Sequence, residues 1–151
     1  MFKKRKTIKQ VEEGNELAPK FDQNGFIPVV TTDAKSGVVL MHAYMNEEAL
    51  KKTIATKEAH YYSRSRKCLW HKGATSGLIQ DVKNIYIDDD QDCVWLNVIV
   101  RGEASCHVGY KSCFYREIDI NSKQLELKFI EDEKMFDPDE VYGDAPNPTI
   151  L

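Results

Sequence analysis

No stretch of the 151 residues approaches the ~18 consecutive apolar side chains that a membrane-crossing helix requires, which excludes a transmembrane span. The basic start, Met1 to Lys6, leads into a polar Thr7–Gly14 rather than an apolar run, so no secretory leader is expected and the setting is cytoplasmic. Cysteine is scarce. Four thiols are too few for a disulfide scaffold, and in a reducing compartment they stay free for metal or packing. Excess positive charge is also missing: 21 Lys and Arg face 24 Asp and Glu, for a net charge of −3, which argues against a general nucleic-acid binder. Aromatic residues are not scarce, at 10%, and the segments rich in Val, Ile and Tyr argue against disorder of the whole chain.

What remains is one globular domain or one protomer of an oligomer, divided into an arm over residues 1–24, a body over 25–130 and an acidic tail over 131–151. The arm is polar and reads as loosely held or as a short helix. Phe26–Thr32 and Val38–Met45 flank the turn-forming Asp33–Gly37 and predict a hairpin. Asn46 suits a helix N-cap, with Glu47 and Glu48 in the first turn, so a helix is placed at about 46–57, with Leu50 and Ile54 on one face. Strands are expected from Ala59 to Arg64, at 79–88 and at 92–101, with a loop over 72–76 and a hairpin of 113–120 with 124–130. The tail carries seven acidic residues and three prolines and is expected to be extended or irregular. Few helices among many, mostly antiparallel strands make the fold class α+β.

Three segments carry chemistry. Asp88, Asp90 and Asp92 alternate, and on an extended strand their carboxylates would share one face at ~7 Å spacing. Such oxygen donors suit Mg²⁺, although four Asp in five residues also fit a solvated hairpin tip. Cys106, His107 and Cys113 put two thiols and an imidazole within eight residues. These are Zn²⁺ ligand types, and catalytic zinc needs only three protein ligands and an open position; the plainer reading is two buried cysteines and a structural histidine. The run Tyr61–Gly73 mixes aromatics with Arg64, Arg66 and Lys72, cations suited to the phosphates of a nucleotide. Solvated strand packing and a base-stacking RNA surface are the other readings, the latter opposed by the acidic cluster downstream.

In this order, Tyr62–Arg66, Leu69–Gly77, Asp88–Asp92 and Cys106–Arg116 resemble the phosphoribosyl-AMP cyclohydrolases of histidine biosynthesis. The resemblance runs from about Gly25 to Arg116, and Phe136–Gly143 looks like some members too. It implies an intertwined homodimer that hydrolyses the N1–C6 bond of the adenine ring of phosphoribosyl-AMP, a small-molecule nucleotide, with no membrane or nucleic-acid partner. It also implies Zn²⁺ shared between chains and Mg²⁺ nearby. Carried over by position, Asp88, Asp90 and Asp92 match the magnesium ligands, Cys106 and Cys113 two zinc thiolates, and His107 a histidine implicated in catalysis. Arg64, Arg66, Lys72 and Ser112 are assigned to substrate binding.

One position departs from the pattern. The family usually carries a zinc-binding Cys where this chain has Asp89. A carboxylate also binds zinc. Cys93 would lie ~13 Å further along an unbroken strand, reaching the same point only if that strand is broken. Asp89 is preferred. The alternative is a weakened homologue serving as a nucleotide-binding module.

Overall fold

The computed structural model describes residues 1–151. The elements are α1 (Ile8–Glu13), β1 (Ile27–Asp33), β2 (Val39–Met45), α2 (Glu47–Thr56), β3 (His60–Ser63), β4 (Cys68–His71), β5 (Gln80–Ile87), β6 (Val94–Val100), β7 (Arg116–Ile118), β8 (Leu127–Phe129) and α3 (Pro138–Tyr142). The architecture is α+β. The main sheet has the order β2-β1-β6-β5, in which only β1 and β6 run parallel. β3–β4 and β7–β8 are separate antiparallel hairpins. No helix is long and apolar enough to cross a membrane.

Alternation builds the core. Ile27, Val29 and Thr31 of β1 and Val94, Leu96 and Val98 of β6 turn to one face, where Tyr61, Met45 and Leu50 cover them. Tyr61 is fully buried and its hydroxyl bonds Thr31 Oγ1 and Gln80 Oε1, so the ring packs without stranding a polar atom. On the opposite face Tyr86 and Trp95 stack and stay half-exposed.

The expected helix is found with Asn46 as its cap, the side chain accepting Ala49 N–H at 2.8 Å. Its buried face is Ala49, Leu50 and Thr53, while Ile54 turns outward. Thr53 explains the choice: its hydroxyl donates to His60 O and accepts His60 N–H, fastening the helix to β3.

The arm takes the short-helix reading: it holds α1 and is bonded to the body. Three expectations need correction. Residues 88–92 are a turn, not an extended strand, with Gln91 at φ 58°. The basic segment folds back on itself as β3 and β4, through Lys67 at φ 52°. The tail is not wholly irregular, because Asp137 caps a short α3 that Pro138 begins.

Candidate active site

β3 and β4 present their basic and aromatic side chains to one cavity of about 610 Å³. Arg64 lies over the Tyr44 ring at 3.9 Å, and Arg66 and Lys72 face Trp70. The chain then turns sharply at Gly73, φ 90°, where a Cβ would come within 2.3 Å of Ile79 N; only glycine fits. That turn leaves Lys72 buried, and its ammonium is held below the ordinary lysine range by lost hydration, partly offset by the nearby thiols of Cys113 and Cys106.

The thiol segment is a tight loop. Ser105 N–H donates to Lys111 O, Cys106 N–H to Tyr110 O and Gly109 N–H to Cys106 O. Cys113 N–H donates to Leu40 O at 2.7 Å, tying the loop to β2. Cys106 and Cys113 therefore meet. The Cys113 thiol donates to Cys106 and, with help from Lys72, brings the Cys106 pKa down to about 7, while Cys113 is raised as the donor of that pair. His107 lines the cavity, and burial followed by repulsion from Lys72 lowers its pKa, which keeps its imidazole neutral and able to accept a proton.

The structure thus brings Arg64, Arg66, Lys72, His107 and Cys113 to one cavity, with Cys106 beside Cys113. It puts Ser112 elsewhere. That side chain is buried, and its hydroxyl donates to Val39 O and accepts Phe114 N–H, so it fastens the loop rather than facing the cavity. His42, Tyr44 and Trp70 also line the cavity; only the Tyr/Arg interleaving hinted at such rings.

The acidic turn is distant from these groups within one chain. It precedes β6, and the thiol loop follows the other end of that strand, ~20 Å away along seven extended residues. Donor oxygens of Asp88, Asp89 and Asp90 lie within 4.8 Å of one another, and no ion pair reaches those three. Asp88 accepts Asp92 N–H and Cys93 N–H, both at 2.9 Å. Asp92, paired with Lys20, is held above the usual carboxylate range by desolvation and by repulsion from Asp90 and Asp88. Converging, unneutralised carboxylates are the donor set a hard divalent cation requires, and two neighbouring thiols are zinc ligand types. Asp89 stands with Asp88 and Asp90, away from the thiols of its own chain. Cys93 is not ~13 Å along a strand from Asp89. The turn reverses the backbone, with Asp88 N–H bonding Cys93 O, so Cys93 stands across from Asp88.

Gln91 is the residue that sequence reasoning passed over. Buried at the heart of the turn, it accepts Ala18 N–H at 2.8 Å and donates to Val11 O and Glu16 O, while its own carbonyl accepts Lys20 N–H. Arg5 adds a bond to Asp90 O. The arm therefore clamps the acidic turn. Replacing Gln91 by Leu strands those buried partners and is expected to cost about 2–4 kcal/mol, read as a lowered midpoint in thermal or denaturant unfolding. An unchanged midpoint would show that the clamp contributes nothing.

Comparison with known proteins matches residues 41–115 to the family model "Phosphoribosyl-AMP cyclohydrolase". A phosphoribosyl-AMP cyclohydrolase of Rhodopseudomonas palustris (strain HaA2) is 56% identical over 137 residues, covering 90% of this chain and 93% of the relative. Those of Bradyrhizobium diazoefficiens and Rhizobium rhizogenes are 50% and 48% identical, each over 88% of this chain and 94% and 90% of their own. Likeness of this depth spans the cavity-lining hairpin, the acidic turn and the thiol loop together, and the chain belongs to the phosphoribosyl-AMP cyclohydrolase family.

Proposed function

We propose that this chain hydrolyses phosphoribosyl-AMP, breaking the N1–C6 bond of the adenine ring to give the phosphoribosylformimino-aminoimidazole carboxamide ribonucleotide, the third step of histidine biosynthesis. The observation that carries the reading is the convergence of Arg64, Arg66, Lys72, His107 and Cys113 on one cavity large enough for a nucleotide. Cys106 and Cys113 would hold Zn²⁺, and Asp88, Asp90 and Asp92 would hold Mg²⁺. Bound zinc supplies the acidity that ionises water near neutral pH. Around it, His107 takes a proton from the attacking water and returns one to N1 as the ring opens. Arg64 and Arg66 hold a phosphate by forked, charge-assisted hydrogen bonds. Lys72 lies beneath the thiols, where its charge favours their anionic form.

The site is shared between two copies in this reading. Thiols and acidic turn sit at opposite ends of β6, so the third zinc donor, Asp89, comes from a partner chain. A homodimer is further supported by the exposed apolar side chains of the β7–β8 hairpin: Ile118, Ile120, Leu125, Leu127, Phe129 and Ile130. No observation favours the weakened-module alternative. The test is turnover of phosphoribosyl-AMP by the purified chain supplied with Zn²⁺ and Mg²⁺. Ring opening at a rate typical of biosynthetic enzymes is expected, and its absence in fully metal-loaded protein would overturn the reading.

A further inference from the structure

We propose that the C-terminal segment from Glu131 to Pro148 is a built wall of the substrate cavity, taking the purine and ribose side of the nucleotide. The inference rests on the function proposed above and deepens it. Residues 131–148 lie outside the span matched by the family model. Nevertheless Pro138, Asp139, Tyr142, Pro146, Asn147 and Pro148 line the same cavity as Arg64, Lys72 and His107.

The segment is fitted to the thiol loop rather than draped over it. The Glu131 carboxylate accepts Lys111 N–H and Ser112 N–H at 3.0 and 3.1 Å. Met135 N–H donates to Gly109 O at 2.7 Å, and Ile130 N–H to Tyr115 O. Gly109 is the point of closest approach. Its φ is 105°, and a Cβ there would lie 2.6 Å from Phe136 O, so the loop is shaped to receive the tail. Next, Asp137 caps α3, Gly143 N–H closes it on Asp139 O, and the Phe136 and Tyr142 rings pack at 6.2 Å. This turn sends residues 145–148 back across the cavity mouth, where Asn147 lines the same cavity as His107.

Charge divides the cavity. The β3–β4 side brings Arg64, Arg66 and Lys72, whereas the tail brings one carboxylate, Asp139, and no cation. Phosphates therefore belong on the β3–β4 side. The acceptors Asp139 and Asn147, with the Tyr142 ring, suit the amino and hydroxyl groups and the flat base of a nucleoside.

The test uses the metal-loaded protein with two probes, AMP and ribose 5-phosphate, whose binding is measured by calorimetry. A chain ending at Asp144 is expected to lose about tenfold in AMP affinity and less than about twofold in ribose 5-phosphate affinity. Residues 143–151 are all exposed, so unfolding midpoints should match. Asn147→Ala is expected to lower AMP affinity several-fold and leave ribose 5-phosphate affinity within about twofold, and Asn147→Asp, which keeps an acceptor oxygen, to recover most of the AMP affinity. Equal loss for both probes, or no loss for AMP, in the shortened chain or in Asn147→Ala would overturn the proposal. If the full chain binds AMP without opening phosphoribosyl-AMP, the reaction assigned above fails, while the contrast between the two probes still decides the wall.

Discussion

Turnover by the Cys113→Ser variant should fall at least about a thousandfold, with zinc content dropping to near zero. The oxygen of serine stays protonated at neutral pH and is a poor zinc ligand, whereas the Cys106–Cys113 pair already releases a proton near pH 7. Cys113 is exposed and outside the core cluster, so the loss is chemical rather than structural. Cys68→Ser is the matched control: that thiol is also exposed, but on β4 and away from the loop, and rate and zinc should both survive. Metal analysis beside steady-state rates checks this. A Cys113→Ser protein with full zinc and full rate would remove the thiol from the site.

The second large effect is expected from placing two aspartates on the β7–β8 hairpin. Ile118 and Leu127 face each other across that ladder, and both are exposed in the single chain. Ile118→Asp with Leu127→Asp puts like charges opposite one another on a face that a second copy would have to bury. Sedimentation at micromolar concentration should then report monomers, with zinc lost and turnover reduced at least about a hundredfold. A variant that stays dimeric, or a monomer with full activity, would show that this hairpin does not join the two copies.

Much of the fold is legible in local pattern. The two-residue period of Ile27–Val29–Thr31 and Val94–Leu96–Val98 marks the core face, and Asn46 marks a helix start through a bond it makes. What local pattern does not carry is the reversal at Asp88–Asp92. Alternating aspartates read equally as strand or turn, and the decision falls to Gln91, whose partners Val11, Glu16 and Ala18 lie 73 or more positions away. Ser112 misleads for a similar reason, because nothing in its neighbours reveals that Val39 O takes its hydroxyl. The grouping of Arg64, Arg66 and Lys72 around one cavity was legible because they fall within one short run of chain. The placement of the tail was not: its fit to Gly109 is displayed only by folded geometry.

The span of β6 between acidic turn and thiol loop has a consequence for inheritance. If two copies pair as proposed above, each reaction centre would borrow one end from either chain. A cell carrying one allele damaged in the carboxylates and another damaged in the thiols would still assemble, in its mixed pairs, one intact centre opposite one that is doubly broken. Two alleles damaged at the same end would rescue nothing.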